Sequence, residues 1–313
     1  MCRLFALHAG HNPANASFWL LDAPDSLVAQ SRLQPDGVGL GWFDAIGEPH
    51  LDKRPVAAYE DELFAAEARR IKSRTVIAHI RHASTGSLRF RNTHPFLQGD
   101  LMFAHNGVVE GLNLLEDEIG PSYLERYVHG DTDSERVFAL ITQRIERANG
   151  DVSDGIADAI GWIARNLPVY ALNFVLISAT DIWALRWPDQ HELWLLKRFP
   201  ESNPARDSAA PVTVTGSQAG TIDPLDIQGS QGRIHMRSAE LALASTVIVA
   251  SEPLDDDPRW RLLAPGELVH VGVDLATTST MLEREPEYRL TDADLDAEIV
   301  ASQKIGVTSA TRQ

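Results

Sequence analysis

Short apolar runs, several of them alternating with polar or small residues, mark the first third of the chain. The stretches 3–8 (RLFALH), 75–84 (TVIAHIRHAS) and 100–109 (DLMFAHNGVV) are of this kind, and between 38 and 42 every second residue is large and apolar. Successive side chains of a strand point to opposite faces of a sheet. These four stretches therefore predict four strands.

Apolar residues spaced by three and four positions predict four helices. The predicted helices cover 25–33, 60–72, 132–148 and about 152–166. The third has the clearest start signal, because Thr132 stands three residues before Glu135 and the two form a capping box.

Alternation returns in the second half of the chain. Three runs, 169–178, 181–187 and 191–199, are separated by turn residues and predict an antiparallel meander. Two later runs, STVIVASEPL and GELVHVGVD, predict further strands. The fold class that follows is α+β, a sandwich of helices against antiparallel sheets.

The division of the chain follows from composition. Residues 201–231 are rich in Ser, Pro, Gly, Ala and Asp, which predicts a long, mobile surface loop. Beyond about residue 285 the chain is acidic and weakly apolar, as expected of a frayed end or a peripheral helix. We therefore expect one domain over 1–285 with an insertion at 201–231, followed by a peripheral tail over 286–313.

Charge and hydropathy exclude several classes of function. The formal net charge is −16, with 44 acidic against 28 basic residues and no basic run, so a nucleic-acid partner is not expected. No stretch approaches the roughly 20 apolar residues that span a bilayer, so no membrane partner is expected. The first residues lack the long apolar core of a secretory signal, which predicts a cytoplasmic protein.

The single cysteine, Cys2, directly follows the initiator methionine. A single cysteine forms no intramolecular disulfide and no thiolate zinc cluster. Removal of Met1 would place a thiol and a free α-amine on the same residue. The thiol can then act as nucleophile with its own amine as the proton acceptor.

Attack by a thiolate on an amide creates an oxyanion, which needs fixed hydrogen-bond donors. Asn106 and Gly107 lie in the stretch RNTHPFLQGDLMFAHNGVVEG and offer a side-chain amide and an unobstructed backbone N–H. An Asn-Gly pair is also common in hairpin turns, which is the structural alternative.

A substrate with an amino-acid head group would need two more side chains. Arg81 can bind an α-carboxylate through its planar guanidinium, and Asp133 can bind an α-ammonium group. The alternatives are that Arg81 is a surface salt-bridge residue and that Asp133 simply favours a helix N-terminus.

A metal site is a hypothesis from another class. It would use four histidines: His79, His82, His94 and His105. Alternation along the strand places His82 on the face opposite His79, so the four are not expected to converge. We therefore predict no metal and no cofactor.

Six ordered motifs resemble one known family. They are MCRLFAL, PDGVGLGWF, AHIRHASTGSLRFRNTHPF, AHNGVV, GDTDSE and VIVASEPL, and they run from residue 2 to about residue 272 outside the 201–231 insertion. Together they are similar to the class II glutamine amidotransferases, N-terminal-nucleophile (Ntn) hydrolases with a four-layer αββα core. The stand-alone type resembled here includes the γ-glutamyl hydrolase of ergothioneine biosynthesis.

The resemblance implies roles for the residues that match these motifs. Cys2 corresponds to the nucleophile, with its amine as the base, and Asn106 with Gly107 to the oxyanion hole. Arg81 corresponds to the residue that binds the α-carboxylate and Asp133 to the residue that binds the α-ammonium group.

Three further residues correspond to the substrate pocket of the family. His94 resembles a pocket residue, and Ser84 or Thr85 a hydroxyl contributor. Synthase-linked members usually have Trp after the Arg and His before the Gly, where this chain has His82 and Thr85. These differences favour a γ-glutamyl compound larger than glutamine.

The resulting hypothesis is an amidohydrolase that acts on a small-molecule substrate, glutamine or a γ-glutamyl amide. It would form a γ-glutamyl thioester and release glutamate plus ammonia or an amine. Two alternatives are a glutaminase subunit that delivers ammonia to a separate synthase and a non-catalytic glutamine-binding descendant. A homo-oligomer is compatible with each hypothesis.

Overall fold

The computed structural model describes residues 2–82, 89–199, 225–229, 232–236, 245–282 and 285–304. Its strands are β1 (Arg3–His8), β2 (Gly37–Phe43), β3 (Pro49–Arg54), β4 (Thr75–Arg81), β5 (Phe96–Gln98), β6 (Leu101–Val109), β7 (Pro168–Ile177), β8 (Ile182–Arg186), β9 (Trp194–Arg198), β10 (Leu225–Gly229), β11 (Gly232–Met236), β12 (Thr246–Ala250), β13 (Arg261–Leu262), β14 (Glu267–Val271), β15 (Thr277–Met281) and β16 (Tyr288–Arg289).

The α-helices are α1 (Leu27–Gln30), α2 (Glu62–Arg70), α3 (Leu112–Ile119), α4 (Pro121–Tyr127), α5 (Asp133–Arg147), α6 (Val152–Asn166) and α7 (Ala297–Lys304). A π-helical turn covers Phe18–Asp22, and 3₁₀ turns cover Ala58–Glu60 and Phe90–Asn92. Within the described residues, no helix has the length and apolar character needed to cross a membrane.

Two sheets face each other. The first has the order β13-β9-β12-β1-β4-β2-β3, and the second has the order β15-β14-β8-β7-β6-β5. Neighbouring strands along these two orders are antiparallel, whereas β16 adds to β7 in parallel. The inner faces pack through small and branched side chains, Leu4, Ala6 and Ile77 against Met102, Ala104 and Val175.

Helices cover both outer faces. Phe5 and Leu7 of β1 pack against Trp19 of the π-helical turn and Phe64 of α2. On the other side, the outer face of the second sheet packs against α5 and α6, with Phe103, Leu172 and Phe174 meeting Val137, Phe138 and Ile160. The layers therefore follow the αββα order, and the predicted α+β sandwich of two antiparallel sheets is confirmed.

The predicted three-stranded meander is wrong. The first two runs form β7 and β8 of the second sheet, but the third run forms β9, which pairs with β12 and β13 of the first sheet. The free edge of β8 is taken by β14, which comes far later in the chain. Residues 187–193 therefore cross from one sheet to the other.

Part of the predicted surface loop at 201–231 forms a strand. Leu225–Gly229 pairs antiparallel with Gly232–Met236, and the other residues of that stretch lie outside the described part of the chain. The tail beyond 285 contributes β16 and α7. The proposed division into a domain, an insertion and a tail stays a prediction.

Candidate functional site

The start of β1 places Cys2 beside the end of β4. Leu4 pairs with His79 and Arg3 pairs with Ile80, so Cys2 comes opposite Arg81. The His82 N–H donates to the Cys2 Sγ at 3.3 Å, and Sγ lies 3.4 Å from the His82 carbonyl oxygen. Cys2 itself is partly exposed. The thiol is therefore held at the end of two central strands of the first sheet.

The thiol of Cys2 needs a base. Burial raises the pKa of the Cys2 thiol, and the hydrogen bond from His82 and the positive charge of Arg81 only partly oppose this effect. A raised pKa leaves the thiol protonated at neutral pH, and the thiolate is the nucleophilic form. Any nucleophilic role for Cys2 therefore depends on a neighbouring proton acceptor.

Arg81 is buried, with 3% of its surface exposed. The alternative of a surface salt-bridge residue is therefore wrong for Arg81. Burial lowers the pKa of Arg81, and the nearby Cys2 and Asp36 oppose this effect only in part. A guanidinium in this position can meet a carboxylate bound next to the thiol.

Asn106 points from the second sheet toward the first. Met102, Ala104 and Asn106 alternate along β6, and the first two belong to the apolar layer between the sheets. Asn106 is only 1% exposed, and neither its amide oxygen nor its amide nitrogen has a hydrogen-bond partner among the described residues. An unpartnered buried amide costs about 1–3 kcal/mol, so it calls for a ligand or a functional reason.

Gly107 is required by a close approach of two strands. A Cβ built on Gly107 would lie 1.8 Å from the carbonyl oxygen of Ala171 on β7. No side chain fits there, so the Asn-Gly pair is not a hairpin turn but part of a continuous strand. Gly107 itself is only partly buried, beside the fully buried Asn106.

Glycines on β2 make room for His94. A Cβ on Gly39 would lie 1.9 Å from the His94 carbonyl oxygen, and a Cβ on Gly41 would lie 2.5 Å from the Met102 sulfur. The small residues that alternate along β2 therefore form a groove on its inner face. The segment that contains His94 packs into this groove.

We expect Gly39→Ala to lower the free energy of unfolding by about 1–3 kcal/mol, because the added methyl group must displace the His94 backbone. Urea unfolding measures the loss. The matched control is Gly161→Ala in α6, where the new Cβ would lie 3.4 Å from the Arg165 side chain. This control is expected to be neutral or stabilising by up to about 1 kcal/mol. Equal unfolding midpoints for the two variants would contradict the packing argument.

Two of the four candidate metal histidines lie together, since the rings of His79 and His94 are 4.2 Å apart. The His105 ring lies on the other face of β6, with its Nδ1 2.9 Å from Ser134 Oγ. His82 is separate, with its Nδ1 3.5 Å from an Asp36 oxygen. No group of three or more His, Cys, Asp or Glu residues in the described ranges could hold a metal ion.

These buried histidines make the fold sensitive to acid. Burial lowers the pKa of His79 to about 3, against an ordinary value of 6.5. Its contribution to stability is therefore complete above pH 6.5 and is lost as the pH falls toward 3, because only the unfolded chain binds the proton in that window. We expect protonation at His79 alone to lower the free energy of unfolding by about 1.4 kcal/mol for each unit by which the pH falls within that window.

Urea titrations between about pH 7 and pH 5 measure this dependence on pH. In His79→Leu the slope of unfolding free energy against pH is expected to be smaller by the contribution of one titrating group, about 1.4 kcal/mol per pH unit. This holds whatever the stability of the variant at neutral pH. An unchanged slope would show that His79 is not the group that titrates.

Asp133 lies at the first position of α5. Its carboxylate accepts hydrogen bonds from the Val109 N–H at 3.0 Å and from the Ser134 N–H at 2.8 Å. Half of the predicted capping box is present, since Thr132 Oγ1 accepts from the Glu135 N–H at 3.3 Å. The Glu135 carboxylate accepts from the His129 and Gly130 N–H groups in place of the Thr132 N–H. The contacts of the Asp133 carboxylate fix it next to the end of β6, two residues beyond Gly107. Its preference for a helix N-terminus stays an open alternative to substrate binding.

Not every predicted site residue is described. Ser84 and Thr85 fall in 83–88, which lies outside the described residues. Cys2, Arg81, His94, Asn106, Gly107 and Asp133 all lie on or beside the central strands β1, β4 and β6 or the segments that join them.

Sequence reasoning missed Asn173 and the segment that it holds. Asn173 is the cross-strand neighbour of Asn106. Its amide donates to the carbonyl oxygens of His191 and Glu192, both at 3.2 Å, and accepts from the Trp187 N–H at 2.8 Å. The signal was a single Asn in the middle of the apolar run 168–177.

A cavity of about 880 Å³ lies at the other end of β1. Leu7, Gly10, Arg69, Lys72 and Thr246 are among its lining residues, and none of the predicted site residues lines it. The cavity is therefore separate from the thiol.

Comparison with known proteins gives one family match. The family model described as "Glutamine amidotransferases class-II" matches residues 1–221. A probable glutamine amidotransferase of Saccharomyces cerevisiae is 31% identical over 175 residues, which cover 48% of this chain and 47% of the yeast protein. The chain spans about half the length of the curated relatives that it matches at 31–32% identity over 175 to 185 residues.

Two other similarities extend over most of the chain. The γ-glutamyl-hercynylcysteine sulfoxide hydrolase of Mycolicibacterium smegmatis is 25% identical over 281 residues, covering 87% of this chain and 96% of the other. The solved structure of a glutamine aminotransferase class-II domain protein from Silicibacter pomeroyi superposes with a TM-score of 0.56 at 21% identity. It covers 90% of this chain and 99% of that chain, and at this identity it supports the fold alone.

Proposed function

Because the chain belongs to the class II glutamine amidotransferases, we propose that it hydrolyses the γ-amide of glutamine or of a γ-glutamyl compound through Cys2. The observation that carries the proposal is that Cys2 shares the inter-sheet space with the Asn106 side-chain amide, which has no hydrogen-bond partner among the described residues. The thiol lies at the end of β1, and the buried Asn106 amide faces the same inter-sheet space from β6.

The proposed first step is proton transfer within one residue. After Met1 is removed, the α-amine of Cys2 has a pKa of about 7.7–8.0 in an ordinary environment, so it is partly unprotonated at neutral pH. This amine accepts the proton of the thiol, and Sγ attacks the γ-carbonyl carbon. The raised pKa of the thiol makes such a base necessary.

The proposed oxyanion hole stabilises the charge that develops next. The Asn106 amide N–H and the Gly107 backbone N–H donate to the carbonyl oxygen as it becomes an oxyanion. Collapse of this intermediate breaks the C–N bond, and the ammonium of Cys2 gives its proton to the leaving amine. Water then hydrolyses the γ-glutamyl thioester to glutamate and regenerates the thiol.

The remaining charged residues of the proposed site bind the amino-acid head group of the glutamyl substrate. Arg81 binds the α-carboxylate, Asp133 binds the α-ammonium group, and His94 lines the pocket between them. Since Asp133 already accepts two backbone N–H groups, its orientation is set before substrate binds.

The leaving group that we favour is larger than ammonia. The Mycolicibacterium smegmatis relative is named for a γ-glutamyl substrate, and the alignment covers nearly its whole length. His82 and Thr85 also stand where synthase-linked members usually have Trp and His. We therefore propose a γ-glutamyl amine as the substrate class, with glutamine as the minimal substrate.

The test combines mass and activity on one preparation. Intact protein is measured before and after exposure to 6-diazo-5-oxo-norleucine, a reactive glutamine mimic, and glutamate release is assayed with glutamine and a panel of γ-glutamyl amides. We expect loss of Met1, one adduct mapped to Cys2, and faster release from at least one amide than from glutamine. A Cys2→Ser control is expected to take no adduct. Active protein that keeps Met1 would refute the proposal.

A further inference from the structure

Residues 187–192 form a wall at the end of the inter-sheet space where Cys2 lies. The chain leaves the second sheet at Arg186 and enters the first at Trp194, which pairs with Ala250. The residue after Ala250, Ser251, donates its N–H to the Leu4 carbonyl oxygen at 3.1 Å. The segment just before β9 therefore comes beside the start of β1.

The backbone nitrogen of Cys2 points to the side of β1 on which Ser251 lies. The Leu4 N–H donates to Ser251 Oγ at 2.9 Å, on the side of β1 that faces β12. N–H groups two residues apart in a strand point to the same side. The Cys2 nitrogen is therefore directed away from β4 and Arg81, and it becomes the terminal amine when Met1 is removed.

His191, in the wall, has one ring nitrogen without a partner. The Gln303 amide nitrogen donates to Ser302 Oγ at 3.1 Å, so its oxygen is the atom that lies 2.8 Å from His191 Nε2. Nε2 must then carry the proton, which leaves Nδ1 as an acceptor. His191 is 3% exposed, and its Nδ1 has no hydrogen-bond partner among the described residues.

We propose that His191 Nδ1 accepts a hydrogen bond from the α-amino group of Cys2 and so orients the amine lone pair toward Sγ. This inference rests on the proposed function, because it needs the free amine that removal of Met1 creates. His191 acts through the amine and not on the substrate, so it is a positioning residue.

The surroundings of His191 favour the neutral ring that this role requires. Burial lowers the pKa of His191 to about 4, and the hydrogen bond to Gln303 opposes this effect only in part. The positive charges of Arg3 on β1 and His105 on β6 lower the pKa further. The Tyr170 ring on β7 packs edge-on at 5.7 Å. At neutral pH the Nδ1 lone pair is therefore available.

The C-terminal segment completes this arrangement, because Gln303 belongs to α7. Leu295 packs in the same cluster as Val108 and Ala171. Val108 follows Gly107 on β6, and Ala171 is its cross-strand neighbour on β7. Asp292 accepts a hydrogen bond from the Tyr170 hydroxyl at 2.8 Å. The tail therefore holds a residue of the site from 112 positions farther along the chain.

The experiment replaces Gln303 with glutamate. A carboxylate would still accept from Nε2 but would stabilise the imidazolium, and a neighbouring acid raises such a pKa by roughly 1–3 units. Nδ1 then carries a proton and no longer accepts. The amine of Cys2 sets the first acidic break of kcat/KM, and protonation of His191 adds a second break at lower pH. In Gln303→Glu we expect the slope of log kcat/KM against pH to steepen from one to two at a pH at least about one unit higher than in the wild type, with wild-type activity at alkaline pH.

Two further variants separate positioning from stability. Asp292→Ala removes the acceptor of the Tyr170 hydroxyl, another contact of the tail, and is expected to keep the wild-type pH profile. In Gln303→Met the new side chain has a similar shape but cannot accept a hydrogen bond from His191 Nε2. We expect kcat to fall about tenfold, which corresponds to about 1.4 kcal/mol of activation free energy, while KM is unchanged.

If the slope steepens at the wild-type pH in folded Gln303→Glu, or if kcat is unchanged in Gln303→Met, the inference is overturned and the proposed function stays intact. Wild-type protein that releases no glutamate and takes no label on Cys2 would overturn both. The two failures are therefore distinguishable.

Discussion

Cys2→Ala is expected to lower kcat for glutamate release by at least about 10⁴-fold, because it removes the only atom able to form the γ-glutamyl thioester. The terminal amine, Asn106 and Arg81 all remain, so substrate binding should survive. Equilibrium binding of glutamate or glutamine by calorimetry, beside the rate measurement, checks this separation.

The fold of Cys2→Ala should be intact. Cys2 lies just before β1, and its side chain contacts only the backbone of His82 among the hydrogen bonds described. Urea unfolding is therefore expected to match that of the wild type within about 0.5 kcal/mol. A folded Cys2→Ala variant that releases glutamate at the wild-type rate would exclude covalent catalysis by this thiol.

Asn106→Ala is expected to lower kcat by about 10²–10³-fold, with a small change in KM. The amide donates to the oxyanion and therefore acts in the transition state more than in the ground state. Steady-state kinetics with the best γ-glutamyl amide measures both constants. Asn166→Ala, which removes an amide at the end of α6, is the matched control and should leave both constants unchanged.

The stability of Asn106→Ala provides an independent check. Since the buried amide has no partner among the described residues, its removal relieves a desolvation cost of about 1–3 kcal/mol, partly offset by the smaller side chain. We expect an unfolding midpoint equal to or above that of the wild type. A variant that is both fully active and less stable would show that Asn106 is a structural residue.

The sequence by itself was informative wherever a pattern is local. The patterns of 169–178 and about 152–166 correctly predicted a strand and a helix, because side-chain direction depends only on the backbone of the same element. The position of Cys2 and the Asn-Gly pair at 106–107 also led to the hypothesis of thiol chemistry, which stays a prediction. Ordered motifs then pointed to the family.

Other features depend on residues far apart in the chain. The run that forms β9 has the pattern of a third meander strand, but in the structure β14 pairs with the edge of β8. The local pattern of a strand does not indicate which other strand it will pair with. The need for glycine on β2 is explained only by the segment around His94, which packs on these positions in the folded chain. Likewise, nothing near His191 indicates Gln303 as its partner.

The alternation and spacing of side chains determined the elements, the two apolar faces of the central layers and the residues able to react. Tertiary structure alone decided which of those residues meet, since the sheets bring together strands whose pairing energies are set across the whole chain. Burial between the sheets then gave Arg81, Asn106 and His191 the desolvated surroundings that a free peptide of the same sequence would lack.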